Sequence, residues 1–103
     1  MTIQDALKQR ILILDGAMGT MIQRYNLSEN DYRGELFTKH TGELKGNNDI
    51  LCLTQPQIIS EIHEAYLQVG SDIIETNTFN ATSVSMSDYG MQNHIREINI
   101  KAA

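Results

Sequence analysis

Apolar and polar positions along the chain fall into blocks, and each block predicts an element. Apolar residues at helical spacing predict a short amphipathic helix over residues 2–10. The four apolar residues 11–14, with charge on both sides, are typical of a strand that is covered on both faces. The small residues 15–20 predict a turn, and Thr20 can cap the helix that follows.

A long polar connection follows over residues 26–49, where apolar anchors are few. Within it, the sequence Ser28–Asp31 resembles a capping box and predicts a short helix that runs to Leu36. Connections of this length are uncommon inside compact domains and are often functional.

The residues after this connection predict a βαβ unit. Residues 49–53 and 72–76 are short apolar runs and are the two strand candidates. Between them, Thr54 and Pro56 signal the start of a helix that carries an apolar stripe, and Gly70 signals its end. We therefore expect a right-handed parallel crossover.

Residues 82–103 carry spaced apolar side chains, and Gly90 divides them into a short and a longer helical piece. Because the last helix reaches Ala103 without a glycine or proline stop, we expect the chain to be part of a longer one. Alternating strands and helices predict an α/β fold. The pattern leaves open whether it is a small open sheet or the N-terminal portion of a (β/α)8 TIM-type barrel, with about three parallel strands and crossover helices.

Composition narrows the class of protein. The chain of 103 residues corresponds to one domain, and 13 acidic against 8 basic residues give a net charge of −5. This balance, without a basic cluster, disfavours nucleic acid as a partner, and no apolar run is long enough to cross a membrane. The single cysteine, Cys52, excludes an internal disulfide and is expected to be a small buried residue. We expect a soluble, cytoplasmic protein.

In parallel α/β folds, functional residues lie where the strands end. The candidate regions are therefore the turn at Asp15 and the loop after residue 76. Asp15 could pair with the ammonium group of an amino acid while the free amides of residues 16–20 receive its carboxylate. Alternatively, Asp15 could simply cap the turn. Glu75 could also point into such a site.

Three ordered segments resemble the landmarks of one family. They are Ile13–Gln23 (ILDGAMGTMIQ), Leu44–Leu51 (LKGNNDIL) and Asp72–Asn80 (DIIETNTFN). Together with the helix end His63–Gly70, they resemble the homocysteine S-methyltransferase family over nearly the whole chain. The polar insertion, with Asp31–Gly34 and the Gly-Asn-Asn stretch, is similar to the cobalamin-dependent, methionine-forming branch of that family.

The resemblance implies a TIM-type barrel that binds homocysteine and zinc, with methylcobalamin as the methyl donor on another module. It implies that residues 1–103 are an incomplete N-terminal segment of the homocysteine-binding barrel, whose partners are the remaining barrel and the folate and cobalamin modules. In the family, cysteines late in the barrel hold the zinc. We therefore expect no metal ligand and no catalytic residue in this segment, and neither methyl transfer nor zinc binding by the segment alone.

The resemblance also implies the substrate contacts. Asp15 would face the homocysteine amine, and the Gly16 amide would face its carboxylate. Thr76 matches a substrate-contacting position, and Phe79 and Asn80 align with pocket positions.

Two alternatives stay open. One is a truncated, non-catalytic fragment that acts as an interaction or folding unit. The other is a homocysteine methyltransferase that uses betaine or S-methylmethionine as donor, although the insertion between Asp31 and Asn48 speaks against it.

Overall fold

The computed structural model describes all 103 residues, and the chain folds as helices joined by loops, without a β-strand. The helices are α1 (Ile3–Gln9), α2 (Met18–Gln23), α3 (Glu29–Arg33), α4 (Leu51–Thr54), α5 (Pro56–Gln68), α6 (Ser83–Ser87) and α7 (Ile95–Ala102). Single 3-10 turns cover Asn48–Ile50 and Gln92–His94. The molecule is elongated, with extents of 51 × 26 × 18 Å. None of its helices combines the length and the apolar character that a membrane crossing requires.

The prediction of a barrel portion with about three parallel strands is wrong, and so is that of a small open sheet. The first and last strand candidates do lie side by side in parallel, but they form one isolated bridge, between Leu14 and Ile73. Around this bridge, Asp15 N–H donates to the Ile73 carbonyl at 2.9 Å. Parallel pairs are stable when further strands extend the ladder and both faces are covered. Here Ile11 and Ile13 are exposed, and the pair does not extend.

The middle strand candidate, residues 49–53, is helical, so the predicted βαβ unit is also wrong. The turn Asn48–Ile50 leads directly into α4. Ile50, Leu51 and Cys52 are all fully or almost fully buried. A short apolar run suits a helix that is buried on all sides as well as a buried strand, and periodicity cannot distinguish the two.

The signals for helix ends were more successful. The predicted capping box begins α3 at Ser28, and Gly70 follows α5 with a φ of +111°. A capping box that was not predicted begins α1 at Thr2. Gly90, with a φ of +68°, separates the two helical parts of the last segment. Thr20, in contrast, lies inside α2 and does not cap it.

The core is organised around α4, which contacts α3, α5 and α7. The buried apolar side chains that pack together there are Ile22, Tyr32, Phe37, Leu44, Ile50, Leu51, Ile58, Ile59, Ile62, Ala81, Met86, Met91 and Ile98. Members come from nearly every element except α1, which buries no residue. The core therefore fixes the relative positions of the loops on both sides of α4.

The polar connection is ordered by one ion pair. Arg33 Nε lies 2.8 Å from Glu29 Oε2, one helical turn earlier. Glu29 also accepts hydrogen bonds from the backbone N–H groups of Leu44 and Lys45, while Arg33 donates to backbone carbonyls further along the connection. The connection is thus held by these two charged side chains as well as by Tyr32, Phe37 and Leu44, which pack into the core.

A second ion pair holds the two extended segments together. Arg10 makes a two-pronged contact with the Asp72 carboxylate, in which Arg10 Nη1 lies 2.8 Å from Asp72 Oδ2. Ile13 N–H donates to the same oxygen at 2.9 Å. The hydrogen bond from Arg10, followed by that from Ile13, lowers the pKa of Asp72 to about 2.

This pKa predicts a specific acid sensitivity. Because the pKa of Asp72 falls from 3.8 to about 2 on folding, its contribution to stability is present above pH 3.8 and is lost as the pH falls through about 2. We expect Asp72→Asn to lower the free energy of unfolding near neutral pH, and the difference from wild type to vanish only below about pH 2. Urea denaturation followed by circular dichroism measures both. Asp88→Asn is the control, since that carboxylate accepts no hydrogen bond. A wild-type-minus-variant difference that stays constant with pH would contradict the assignment.

Candidate functional site

Three loops enclose a cleft of about 380 Å³ on one side of the molecule. They are the turn after residue 14, the segment that leads into α4, and the loop after residue 74. The residues that line the cleft are Asp15, Gly16, Ala17, Met18, Gly19, Gly46, Asn48, Asp49, Glu75, Thr76, Asn77, Thr78, Phe79 and Asn80.

All five residues predicted to contact substrate line this cleft: Asp15, Gly16, Thr76, Phe79 and Asn80. The fold therefore brings together residues that are about sixty positions apart in the sequence. Phe79 is 94% exposed at the rim, and the Thr76 hydroxyl lies 2.8 Å from that of Thr78. Their roles as homocysteine contacts stay predictions.

Asp15 has a structural role as well as a place in the cleft. Its Oδ2 accepts a hydrogen bond from Glu75 N–H at 3.1 Å, which ties the first loop to the third. The side chain is only half-buried and borders the cleft. The two sequence interpretations of Asp15, as part of the turn and as part of a site, are thus compatible.

The backbone beside Asp15 offers free donors. The N–H groups of residues 16–19 donate to no other group of the protein, and the first turn of α2 has no side-chain cap. The cleft lining contains the carboxylates of Asp15, Asp49 and Glu75 but no lysine, arginine or histidine. Such a lining favours a ligand with an ammonium group, and the free backbone amides, together with the asparagine and threonine side chains of the lining, are the donors that can receive a ligand carboxylate.

Tyr66 is a site-shaping residue that the sequence pattern did not reveal. It lies on α5, and its hydroxyl donates to the Ala17 carbonyl at 2.7 Å. A Cβ atom at Gly16 would come within 3.1 Å of that hydroxyl, so the absence of a side chain there lets the ring approach the turn. The helical spacing placed Tyr66 on the apolar stripe, and this is correct for its ring but gives no information about the hydroxyl.

The tripeptide Asn47–Asp49 was also missed as a functional element, although it belongs to the segment that carries the family resemblance. Asn47 and Asp49 are almost fully buried. Asn48 accepts from the Tyr32 hydroxyl at 2.9 Å, and Asp49 Oδ2 accepts from Asn80 N–H at 2.6 Å. Burial raises the pKa of Asp49, and the hydrogen bond from Asn80 opposes this shift.

Cys52 lies behind the cleft, where it is 2% exposed, so its prediction as a small buried residue is confirmed. Its thiol donates to the Asn77 carbonyl at 3.5 Å. Burial raises the pKa of the Cys52 thiol to about 11, and the nearby Asp49 carboxylate adds to the increase. The thiol is therefore a poor metal ligand and a poor nucleophile.

The side chains of this chain do not fit the zinc ion that the resemblance implies. No three His, Cys, Asp or Glu residues lie close enough together to hold a metal ion. A zinc centre needs three or four such ligands, and thiolate ligands must be deprotonated.

The chain matches the model of the homocysteine S-methyltransferase family over residues 12–103. The protein therefore belongs to that family. The matched range includes every residue that lines the cleft.

The state of Cys52 predicts its reactivity. Because the thiol is buried and its pKa is raised to about 11, we expect negligible reaction with an aromatic disulfide reagent in the folded protein at about pH 8. In denaturant, one thiol should react rapidly. The variant Ser60→Cys adds an exposed thiol on α5 and should show one fast and one slow group when folded. Fast reaction of the wild-type thiol would contradict the burial.

The hydroxyl of Tyr66 predicts a change in stability. Tyr66→Phe leaves the ring in place but removes the bond to Ala17, so it should lower the free energy of unfolding by about 0.5–1.5 kcal/mol. Tyr89→Phe is the matched control, because that tyrosine is also partly buried but its hydroxyl makes no hydrogen bond, so its loss should cost less. Urea denaturation compares the two variants, and an equal or larger effect at Tyr89 would refute this assignment.

Proposed function

We propose that this chain supplies part of the homocysteine pocket of a methyltransferase that forms methionine. The observation that carries the proposal is the convergence of the five expected contact residues, together with free backbone amides, on one cleft. Membership of the homocysteine S-methyltransferase family supports the same substrate.

The proposed recognition uses neighbouring groups of one turn for the two opposite charges of the substrate. The Asp15 carboxylate receives the ammonium group of homocysteine, since one of its oxygens is not used by Glu75 N–H. The amide of Gly16 and the free amides beside it receive the substrate carboxylate. A zwitterionic amino acid therefore suits this cleft better than a dicarboxylic acid does.

The proposal assigns only binding and orientation of the amino-acid end to this chain. Methyl transfer breaks the bond between the methyl group and its donor, forms a carbon–sulfur bond and releases the proton of the homocysteine thiol. The cleft lining contains no cation that could stabilise the thiolate. We propose that zinc and the remaining catalytic parts act from outside these 103 residues, and that the chain alone is inactive. For the methyl donor we propose methylcobalamin, as in cobalamin-dependent methionine synthase, because the polar insertion resembles that branch.

Binding of substrate fragments tests the proposal directly. We expect the wild-type chain to bind L-homocysteine and L-2-aminobutyrate with similar affinity, because the contacts proposed here involve the amino-acid end and not the sulfur. 4-Mercaptobutyrate, which lacks the ammonium group, should bind about tenfold or more weakly, since a hydrogen bond to a charged group is worth about 1.5–3 kcal/mol. Isothermal titration calorimetry or NMR chemical shifts measure all three.

In Asp15→Ala, affinity for homocysteine should fall to that for 4-mercaptobutyrate, and the two ligands should no longer be distinguished. Glu64→Gln is the charge-matched control, because that carboxylate is exposed on α5 and makes no hydrogen bond. The proposed function fails if the wild-type chain does not bind homocysteine, or if Asp15→Ala still discriminates in favour of the ammonium group.

A further inference from the structure

We propose that Asp49 is a positioning residue of the cleft: it holds the loop Asn77–Asn80 in place and so fixes Phe79 and Asn80 toward the ligand. The statement about loop geometry is independent of the proposed function, whereas its consequence for ligand affinity rests on that function. No role had been expected for Asp49 beyond its place in the segment Leu44–Leu51.

The burial of Asp49 requires an explanation, because a carboxylate buried without partners is costly. Asp49 is 3% exposed, and the hydrogen bond that it accepts comes from Asn80 N–H, at a short 2.6 Å. A short bond from an N–H group to a carboxylate is typical of a charge-assisted interaction, which is stronger than a neutral one. The only hydrogen bond of this buried carboxylate is therefore with the loop Asn77–Asn80, which forms one wall of the cleft.

The other end of the loop is held by the neighbouring residue. Asn77 is 5% exposed, and its Nδ2 donates to the Asn48 carbonyl at 2.8 Å. Residues 48 and 49, which are neighbours in the turn before α4, thus hold both ends of the four-residue loop Asn77–Asn80. The same turn is fixed from behind by the Tyr32 hydroxyl, which donates to Asn48 Oδ1.

Between these two anchors, Phe79 has little else to hold it. Its side chain is almost fully exposed, and its own N–H donates to no group of the protein. The position of the ring therefore depends on the backbone of the loop. That backbone is held by the two anchors, together with the Cys52 thiol at the Asn77 carbonyl and the turn hydrogen bonds from Ala81 and Thr82 N–H. A wall that is ordered before ligand arrives lowers the entropic cost of binding.

Hydrogen exchange in the wild-type protein gives the first test. Although the Asn80 side chain is exposed, its N–H should exchange at least about tenfold more slowly than that of Phe79, because only the former is bonded. Equal exchange rates for the two amides would overturn the proposal, and this measurement needs no variant.

Two substitutions at Asp49 separate the hydrogen bond from the charge. In Asp49→Ala, the Asn80 amide proton should move upfield and exchange as rapidly as that of Phe79. Asp49→Asn retains an acceptor and should recover part of the protection. Asp15→Ala is the matched control: it removes a carboxylate that accepts from Glu75 N–H, so it should alter the Glu75 amide and leave Asn80 unchanged. An unaltered Asn80 amide in a folded Asp49→Ala would overturn the proposal, and if that variant does not fold, Asp49→Asn and the wild-type exchange rates decide.

The affinity for L-homocysteine gives the functional consequence. We expect Asp49→Ala and Phe79→Ala each to weaken binding by about three- to tenfold, and the double variant to be no weaker than the worse single one, because both act through the same wall. Additive losses would contradict the positioning role. If the wild-type chain does not bind homocysteine at all, the proposed function fails, whereas the exchange data still decide whether Asp49 positions the loop.

Discussion

Three buried polar side chains set the constraint on which the architecture of this protein depends. Asn47, Asp49 and Asn77 are each no more than 5% exposed, within a core that is otherwise apolar. Each must find a hydrogen-bonding partner inside the protein, because burial without one is unfavourable. Their partners come from α6, the segment before α4 and the loop after residue 77. These hydrogen bonds connect the core to the loops that form the cleft.

The segments that carry the family resemblance are also the segments that form the cleft. The segments Ile13–Gln23, Leu44–Leu51 and Asp72–Asn80, which carry the resemblance, supply the three walls of the cleft. They are distant in the sequence and become neighbours through α4 and the pairing around Leu14. The features that make the chain recognisable as a family member are therefore those that shape its cleft, although the chain has no sheet to carry them.

Sequence reasoning succeeded where the deciding interactions are local. The helix start at Ser28 was predictable because a capping box joins residues only three positions apart. The strand at residues 49–53 was mispredicted because a short apolar run that is buried on all sides suits a helix as well as a strand, and the choice between them depends on packing against residues far along the chain.

The same distinction applies to the cleft. The turn at Asp15 was visible from its glycines and from the family resemblance. Tyr66 and Asp49 were not, because each acts on a residue 49 or 31 positions away. For a tyrosine on an apolar stripe, or an aspartate beside an apolar run, the neighbouring sequence does not indicate such contacts.

The self-contained character of α1 has a practical consequence. Its capping box joins Thr2 to Asp5, and none of its residues is buried. The connection to the rest of the molecule passes through Arg10 and Asp72, away from the cleft lining. An affinity handle attached to the outer face of α1 would therefore leave the cleft unobstructed.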